Sequence, residues 1–355
     1  MAISYLPPIR HLLPLTTIRR LRELPVPGAI TVRVNEKVQA QDVVGEAEVQ
    51  PRHIFLDLAR GLGVADVQVP RYMAKAPGED VNADEVIAGP AGLARRTLRA
   101  PEDGRIIALV RGRVLFRTRG RSFEMRAGFP GLVVSTDGVQ SVTLETSGAL
   151  VGAQWGNGRQ DYGVMRIIGD GPSSRLQTRQ LDIQLRGAIL VAGRVDHPAP
   201  LKQAAELSIR GLILGGMAAA LIPSVRRLPF PVVVLGGFGE FGISEPVYSL
   251  LAGNAGREAA VDARTPSAFE PLGPEVIIPL PTDRPVEIPE EIVPLVPGVR
   301  VRVVRPPMKG VVGTVREVLP HAEAFPSGLL ARSVLISIEG TGPARVPLAN
   351  IEILG

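Results

Sequence analysis

Asn35-Glu36-Lys37-Val38-Gln39-Ala40-Gln41-Asp42-Val43-Val44-Gly45 has a near-copy in Ala76-Pro77-Gly78-Glu79-Asp80-Val81-Asn82-Ala83-Asp84-Glu85-Val86-Ile87-Ala88. Polar, turn-forming residues alternate in both with short β-branched runs, the grammar of brief strands joined by tight turns. Working outward, Ile30-Thr31-Val32-Arg33-Val34 precedes the first copy as an alternating strand. Arg99-Ala100-Pro101-Glu102-Asp103-Gly104-Arg105-Ile106-Ile107-Ala108-Leu109 follows the second as a turn and a strand.

These pieces resemble the two halves of a barrel-sandwich hybrid, the fold of biotinyl and lipoyl carrier domains, over roughly residues 26–120. The resemblance implies a β-rich fold. A carrier function would need a modifiable lysine at a hairpin tip. Lys75, in Met73-Ala74-Lys75-Ala76, lies too far from Ala100-Pro101 and lacks the flanking pattern. Before this region, residues 1–24 read as an apolar, basic, proline-interrupted arm with one short helix over 16–24. After it, residues 123–168 continue as strands and glycine turns. Asp137-Gly138 turns a hairpin, and Trp155, the only tryptophan, plugs a core beneath a glycine loop.

The pattern changes at Gly187. Ala188-Ile189-Leu190-Val191, Gly211-Leu212-Ile213-Leu214 and Pro231-Val232-Val233-Val234-Leu235 are buried-type strands, separated by helices expected over 200–207 and 217–227 and followed by one over 244–251. Strand–helix alternation at this spacing predicts a parallel sheet with right-handed crossovers. The segment resembles the DRTGG-type regulatory domain, with Arg194-Val195-Asp196 at the position of its signature turn. Parallel sheets gather ligands at the carboxyl ends of their strands. Asp196, His197, Gly215, Gly216, Gly237 and Gly239 are therefore the candidate ligand-binding residues, for a small anionic molecule. Gly237-Phe238-Gly239-Glu240-Phe241-Gly242 also matches Gly-x-Gly-x-x-Gly, but its strand is third in the domain and Glu240 would face the phosphates, so structural turn glycines are the default reading. The acid that a dinucleotide fold requires has no strand end to sit on, because Asp262 reads as helical or as a helix exit.

Residues 271–297 hold eight prolines and read as an extended linker. Beyond it, Val299, Val301 and Val303 alternate with Arg300 and Arg302, and Lys309-Gly310-Val311-Val312-Gly313-Thr314-Val315 forms a turn and a second strand. This stretch resembles the KOW motif of small SH3-like barrels in transcription elongation factors and ribosomal proteins. The resemblance implies binding to RNA, RNA polymerase, ribosomes or protein partners. Val299, Val301, Val303, Val312, Val315, Val334, Leu335 and Ile336 are the expected core.

The expected fold class is thus multidomain α+β. An arm (1–24) leads into a β-rich barrel-sandwich domain (25–170), a small three-stranded parallel α/β domain (181–265), the linker (271–297) and a C-terminal SH3-like β-barrel (298–355).

The 355 residues contain no cysteine, which excludes disulfides and thiolate metal sites. The four histidines show no metal spacing, no nucleophile motif accompanies His197, and no cofactor is implied. No apolar run is long enough for a bilayer, so the expectation is a cytoplasmic, non-membrane protein. The net charge of +5 is unevenly spread: ten arginines lie between Arg95 and Arg126. Arg111, Arg113, Arg117, Arg119 and Arg121 fall on odd positions, so a strand would present them on one face. Such a ribbon suits phosphate backbones, or it is a charged edge that blocks aggregation. Arg300, Arg302, Arg305, Lys309 and Arg316 add a second basic surface. The leading expectation is a non-enzymatic binding or scaffold protein that contacts RNA, DNA or a nucleic-acid-associated complex. The alternative is a ligand-sensing protein that uses the α/β crevice.

Overall fold

The computed structural model describes residues 9–265, 272–282, 286–289, 293–305, 307–340 and 342–354. The first eight residues of the arm, parts of the proline-rich segment and Pro306 lie outside the described residues. The molecule is β-rich and built from several sheets.

The repeated sequence folds into a repeated unit, one copy nested inside the other. In the outer unit, strands Leu12–Glu23, Ser141–Gly152, Gly131–Thr136 and Lys37–Val38 lie side by side in that order. In the inner unit, His53–Asp57, Arg113–Thr118, Gly104–Val110 and Asp80–Val81 repeat the order and the antiparallel sense. The registers agree residue for residue. Gly131 pairs with Val38 as Gly104 pairs with Val81, and Val133 pairs with Leu144 as Ile106 pairs with Phe116. Each unit has a second small sheet, Val43–Val49 against Arg121–Arg126 and Val86–Ala91 against Arg96–Arg99. Val43 meets Arg126 there as Val86 meets Arg99.

The turns explain why the two stretches of sequence fold alike. Asn35 and Gly78 both take positive φ (70° and 94°), a conformation that asparagine and glycine tolerate best. The Asn35 N–H donates to Val133 O at 2.8 Å, and the Gly78 N–H to Ile106 O at 2.6 Å. An acid three residues on closes each following turn: Asp42 accepts from the Gln39 N–H at 2.7 Å and Glu85 from the Asn82 N–H at 2.9 Å. The inner unit emerges between Val43–Val49 and Arg121–Arg126 of the outer one. It keeps its own core of Leu58, Leu62, Val69, Ile87, Ile106, Val114 and Phe116.

The segment over 16–24 is a strand rather than the expected helix. Thr16, Ile18, Arg20, Arg22 and Leu24 are buried in strict alternation. Two buried arginines hid that period of two from a hydrophobicity reading. Each is neutralised inside. Arg20 donates to both carboxylate oxygens of Glu275 at 2.6 Å, and Arg22 lies 3.2 Å from Asp262, with Phe129 stacked against its guanidinium.

The outer unit does not end at residue 170. Its sheet runs on through Glu275–Pro279, Glu258–Asp262 and Gln160–Ile167 into the parallel strands Ala188–Val195, Gly211–Met217 and Val232–Val234. Asp262 thus closes a strand and is not helical. The expected helix over 217–227 is shorter: the strand extends through Met217, and only Ile222–Val225 is α-helical. Helices Pro198–Glu206 and Glu245–Gly253 cover opposite faces of the parallel strands, which is why those strands are apolar throughout. The proline-rich segment is more than a linker, because Glu275–Pro279 is a buried strand in the middle of the large sheet.

At the C terminus, Arg300–Val303, Val312–Ala324, Leu330–Ile338 and Gly342–Pro347 form an antiparallel meander. A 3-10 turn at Leu348–Asn350 leads to Ile351–Leu354, which pairs back onto the first strand. Ile9–Arg10 adds a parallel strand outside it. Val301, Val303, Val315, Val334 and Ile336 are core as expected, whereas Val312 is exposed and Val299 and Leu335 are half-buried.

Candidate nucleic-acid interface

The inner unit's sheet buries one face and opens the other. Ile106, Val114 and Phe116 point into the core. On the opposite face the strand registers build three rows. His53, Arg117, Arg105 and the exposed Asp80 are successive cross-strand neighbours in the first. Ala108, Leu115 and Phe55 form the second, and Val110, Arg113 and Asp57 the third. Arg105, Arg113, Arg117, His53 and Phe55 are all exposed. Arg113 faces Asp57 at 3.3 Å. Arg105 donates to Gly78 O at 2.6 Å, and neither Arg105 nor Arg117 has a carboxylate partner among the described residues.

The five arginines on odd positions do not make one ribbon. Arg113 and Arg117 share the outer face of one strand, and Arg111 sits in the turn before it with φ of 47°. Arg119 lies between strands, and Arg121 opens a strand of the other sheet. The chain leaves one sheet at Thr118 and enters the other at Arg121, which breaks the alternation. All five are exposed. Sequence reasoning missed Phe55, Arg105 and His53. Only antiparallel pairing of distant strands sets them beside Arg117.

The C-terminal basic residues divide in two. Arg300, Arg305 and Arg316 are exposed. Arg302 is spent on Glu352, to which its Nε donates at 2.6 Å. Lys309 turns inward to the α/β layer, with Nζ 3.2 Å from the centre of the Phe241 ring. Burial, and then the nearby Arg302 guanidinium, holds the Lys309 amine below the usual lysine value.

The α/β crevice residues gather at the carboxyl ends of the parallel strands, but backbone fills the space that their glycines leave. A side chain at Gly215 or Gly216 would run into the backbone of residues 241–243, and Gly239 lies on the Phe241 ring. The glycine-rich loop folds over the strand ends and seats Phe238 edge-on against Trp155, with centroids 5.7 Å apart. Asp196 is held by Arg175 at 3.2 Å and Arg194 at 3.5 Å, and His197 is exposed at the start of the Pro198–Glu206 helix. Gly237 faces Gln154 and Lys309. A cavity of about 360 Å³ lies there, between this loop and the C-terminal sheet, lined among others by Gln154, Ser173, Phe241, Ser244, Arg302 and Lys309. Among the described residues no cluster of three or more His, Cys, Asp or Glu side chains could hold a metal, and no helix is long and apolar enough to cross a membrane.

No family model matches the chain. No curated protein matches it either. Among solved structures, the crystal structure of S-adenosylmethionine:2-dimethylmenaquinone methyltransferase from Geobacillus kaustophilus HTA426 is similar over 37% of this chain and 88% of that one, at 16% identity and a TM-score of 0.25. That likeness is too slight to carry either a fold or an activity across to this protein.

Proposed function

We propose that this chain is a non-enzymatic binding protein that contacts nucleic acid, or an assembly built on nucleic acid, through basic β surfaces. The outer face of the inner unit is the principal contact. One observation carries this reading. In the outer unit the position of Arg117 is Glu145 and that of His53 is Arg19, and those two are ion-paired at 2.5 Å. Across all four strands the rows carry the same formal charge, Arg19, Glu145, Leu132 and Lys37 against His53, Arg117, Arg105 and Asp80, but the central pair is closed in the outer copy and two adjacent arginines stand unpaired by carboxylates in the inner one. A charge kept only to hold strand edges apart would serve either copy.

The nested units are read as two barrel-sandwich hybrids, each repeated stretch belonging to its own copy, rather than as the two halves of the single hybrid expected from the sequence over 26–120. The C-terminal module is read as an SH3-like barrel of KOW type, supported by its meander and by its closing strand behind a 3-10 turn. Its exposed Arg300, Arg305 and Arg316 form the secondary contact. The test is binding of labelled RNA and DNA across a salt series. Replacing Arg105, Arg113 and Arg117 by Gln should reduce the log–log salt slope by about three units if each neutralises one phosphate. An unchanged slope overturns the assignment of this face.

A second reading has its own observation: Lys309 lines the inter-module cavity without a carboxylate partner among the described residues. A small carboxylate or phosphate would complement it. Thermal stabilisation by such anions, lost in Lys309→Met, would support that reading, and the absence of any shift would remove it.

A further inference from the structure

We infer that the inner unit's open face takes single-stranded nucleic acid in particular, with an unpaired base stacked on the Phe55 ring. This rests on the reading of that face as a nucleic-acid contact and specifies its ligand. Phe55 is 73% exposed in the middle of a strand, where a large aromatic ring has nothing to gain from water. Its row is apolar: Leu115 lies directly across from it, with Ala108 beyond. Exposed Ile107, beside the bulge in the next strand, widens the same patch.

Two residues along the strand, about 7 Å away, runs the cationic row of His53, Arg117 and Arg105. One nucleotide spans that distance from base to phosphate. A flat ring with cations one row away is the pairing that single strands use, because every unpaired base offers a face to stack and every nucleotide a charge to neutralise. A duplex hides its base faces and would leave the ring idle. The outer unit again serves as the control. The residue equivalent to Phe55 is Leu21, also exposed, beside the closed Arg19–Glu145 pair. The aromatic ring and a pair of adjacent open arginines occur together in one copy; the other has Leu21, the closed Arg19–Glu145 pair and a single exposed Lys37 at the far end of the row.

His53–Asp57 is an edge strand, so a protein strand could in principle add to it. The open arginines beside the ring favour a polyanion, and a protein partner is treated as an outcome of the test.

The experiment uses the full chain and fluorescence anisotropy with four probes: a uridine homopolymer, a thymidine homopolymer, a mixed-sequence DNA duplex, and heparin, a polyanion without bases. Phe55→Ala should weaken both single strands roughly five- to hundred-fold and leave heparin unchanged. Phe55→Trp should retain single-strand binding, and its new fluorescence should be quenched on addition of either homopolymer. The Arg105→Gln/Arg117→Gln double variant should weaken every probe. Equal single-strand affinity in Phe55→Ala and the wild type overturns the stacking role, and if the arginine variant still loses affinity, the broader reading of the face survives. Stronger binding of the duplex than of either single strand also overturns the inference. If the wild type binds no polyanion but captures a protein strand at this edge, both readings fall.

Discussion

The outer and inner units share strand order, pairing register and turn chemistry, yet they handle charge in opposite ways. Along its first strand the outer unit buries Arg20 and Arg22, where the inner unit has Ile54 and Leu56. On the other face the outer unit closes Arg19 with Glu145, and the inner unit leaves Arg117 open. The difference follows from what each sheet adjoins. The outer sheet continues into Glu275–Pro279 and Glu258–Asp262, which bring carboxylates to its buried side. The inner sheet ends at an edge strand, so its core must be apolar and its open face is free to carry function.

The largest test of this contrast is on the buried side. Glu275→Ala strands the Arg20 guanidinium without its bidentate carboxylate and should destabilise the protein by about 3–5 kcal/mol. Ile54→Ala, at the corresponding place in the inner unit, should cost about 1–3 kcal/mol, because Ile54 is only half-buried. Urea unfolding of both variants checks the order. Equal losses would mean that the two cores are not as differently built as their residues imply.

Acid should remove one of the buried ion pairs on which the outer sheet depends. Burial alone would raise the Asp262 pKa, but the Arg264 and Arg22 guanidinium groups overturn that and hold it below the usual value. A depressed folded pKa contributes stability that is fully present above the unfolded value of about 3.9 and is lost as pH falls through the folded one. The stability gap between wild type and Asp262→Asn should therefore be constant above about pH 4 and close below it. Thermal unfolding across pH reads this directly. A gap that persists at the lowest pH would refute the ion-pair account.

The open face can be made to resemble the closed one. Arg117→Glu places a carboxylate beside His53 and Arg105 and should take about 1.4 units from the salt slope for single-stranded RNA if the two-charge change removes two phosphate contacts. The smallest expected effect is the converse. Glu145→Gln frees Arg19 in the outer unit, should cost under about 1 kcal/mol because the pair is partly exposed, and should add slightly to heparin binding. Unchanged heparin affinity would show that the outer face takes no part.

Much of the β-rich fold was legible because its signals are local. Asn35 and Gly78, each ahead of a turn acid that recurs in both copies, mark the same corner twice, and the apolar runs at 188–191 and 211–214 can only be strands buried on both faces. Residues 16–24 misread as a helix because buried Arg20 and Arg22 break the apolar alternation, and Asp262 misread for the same reason. The candidate site was legible only in part. Arg113 and Arg117 announce themselves at alternate positions of one strand, but Phe55 lies some sixty residues away in sequence and carries no motif.

By itself, then, the amino-acid sequence determined the repeat, the turns, the parallel strands and the excess of arginine, all of which depend on residues close together in the chain. The tertiary structure alone decided which charges are neutralised, because a carboxylate quenches a guanidinium only when long-range strand pairing brings the two within a few ångströms. It closed Arg20 on Glu275, Arg22 on Asp262 and Arg302 on Glu352, and turned Lys309 onto Phe241. It left Arg117 open beside a bare phenylalanine.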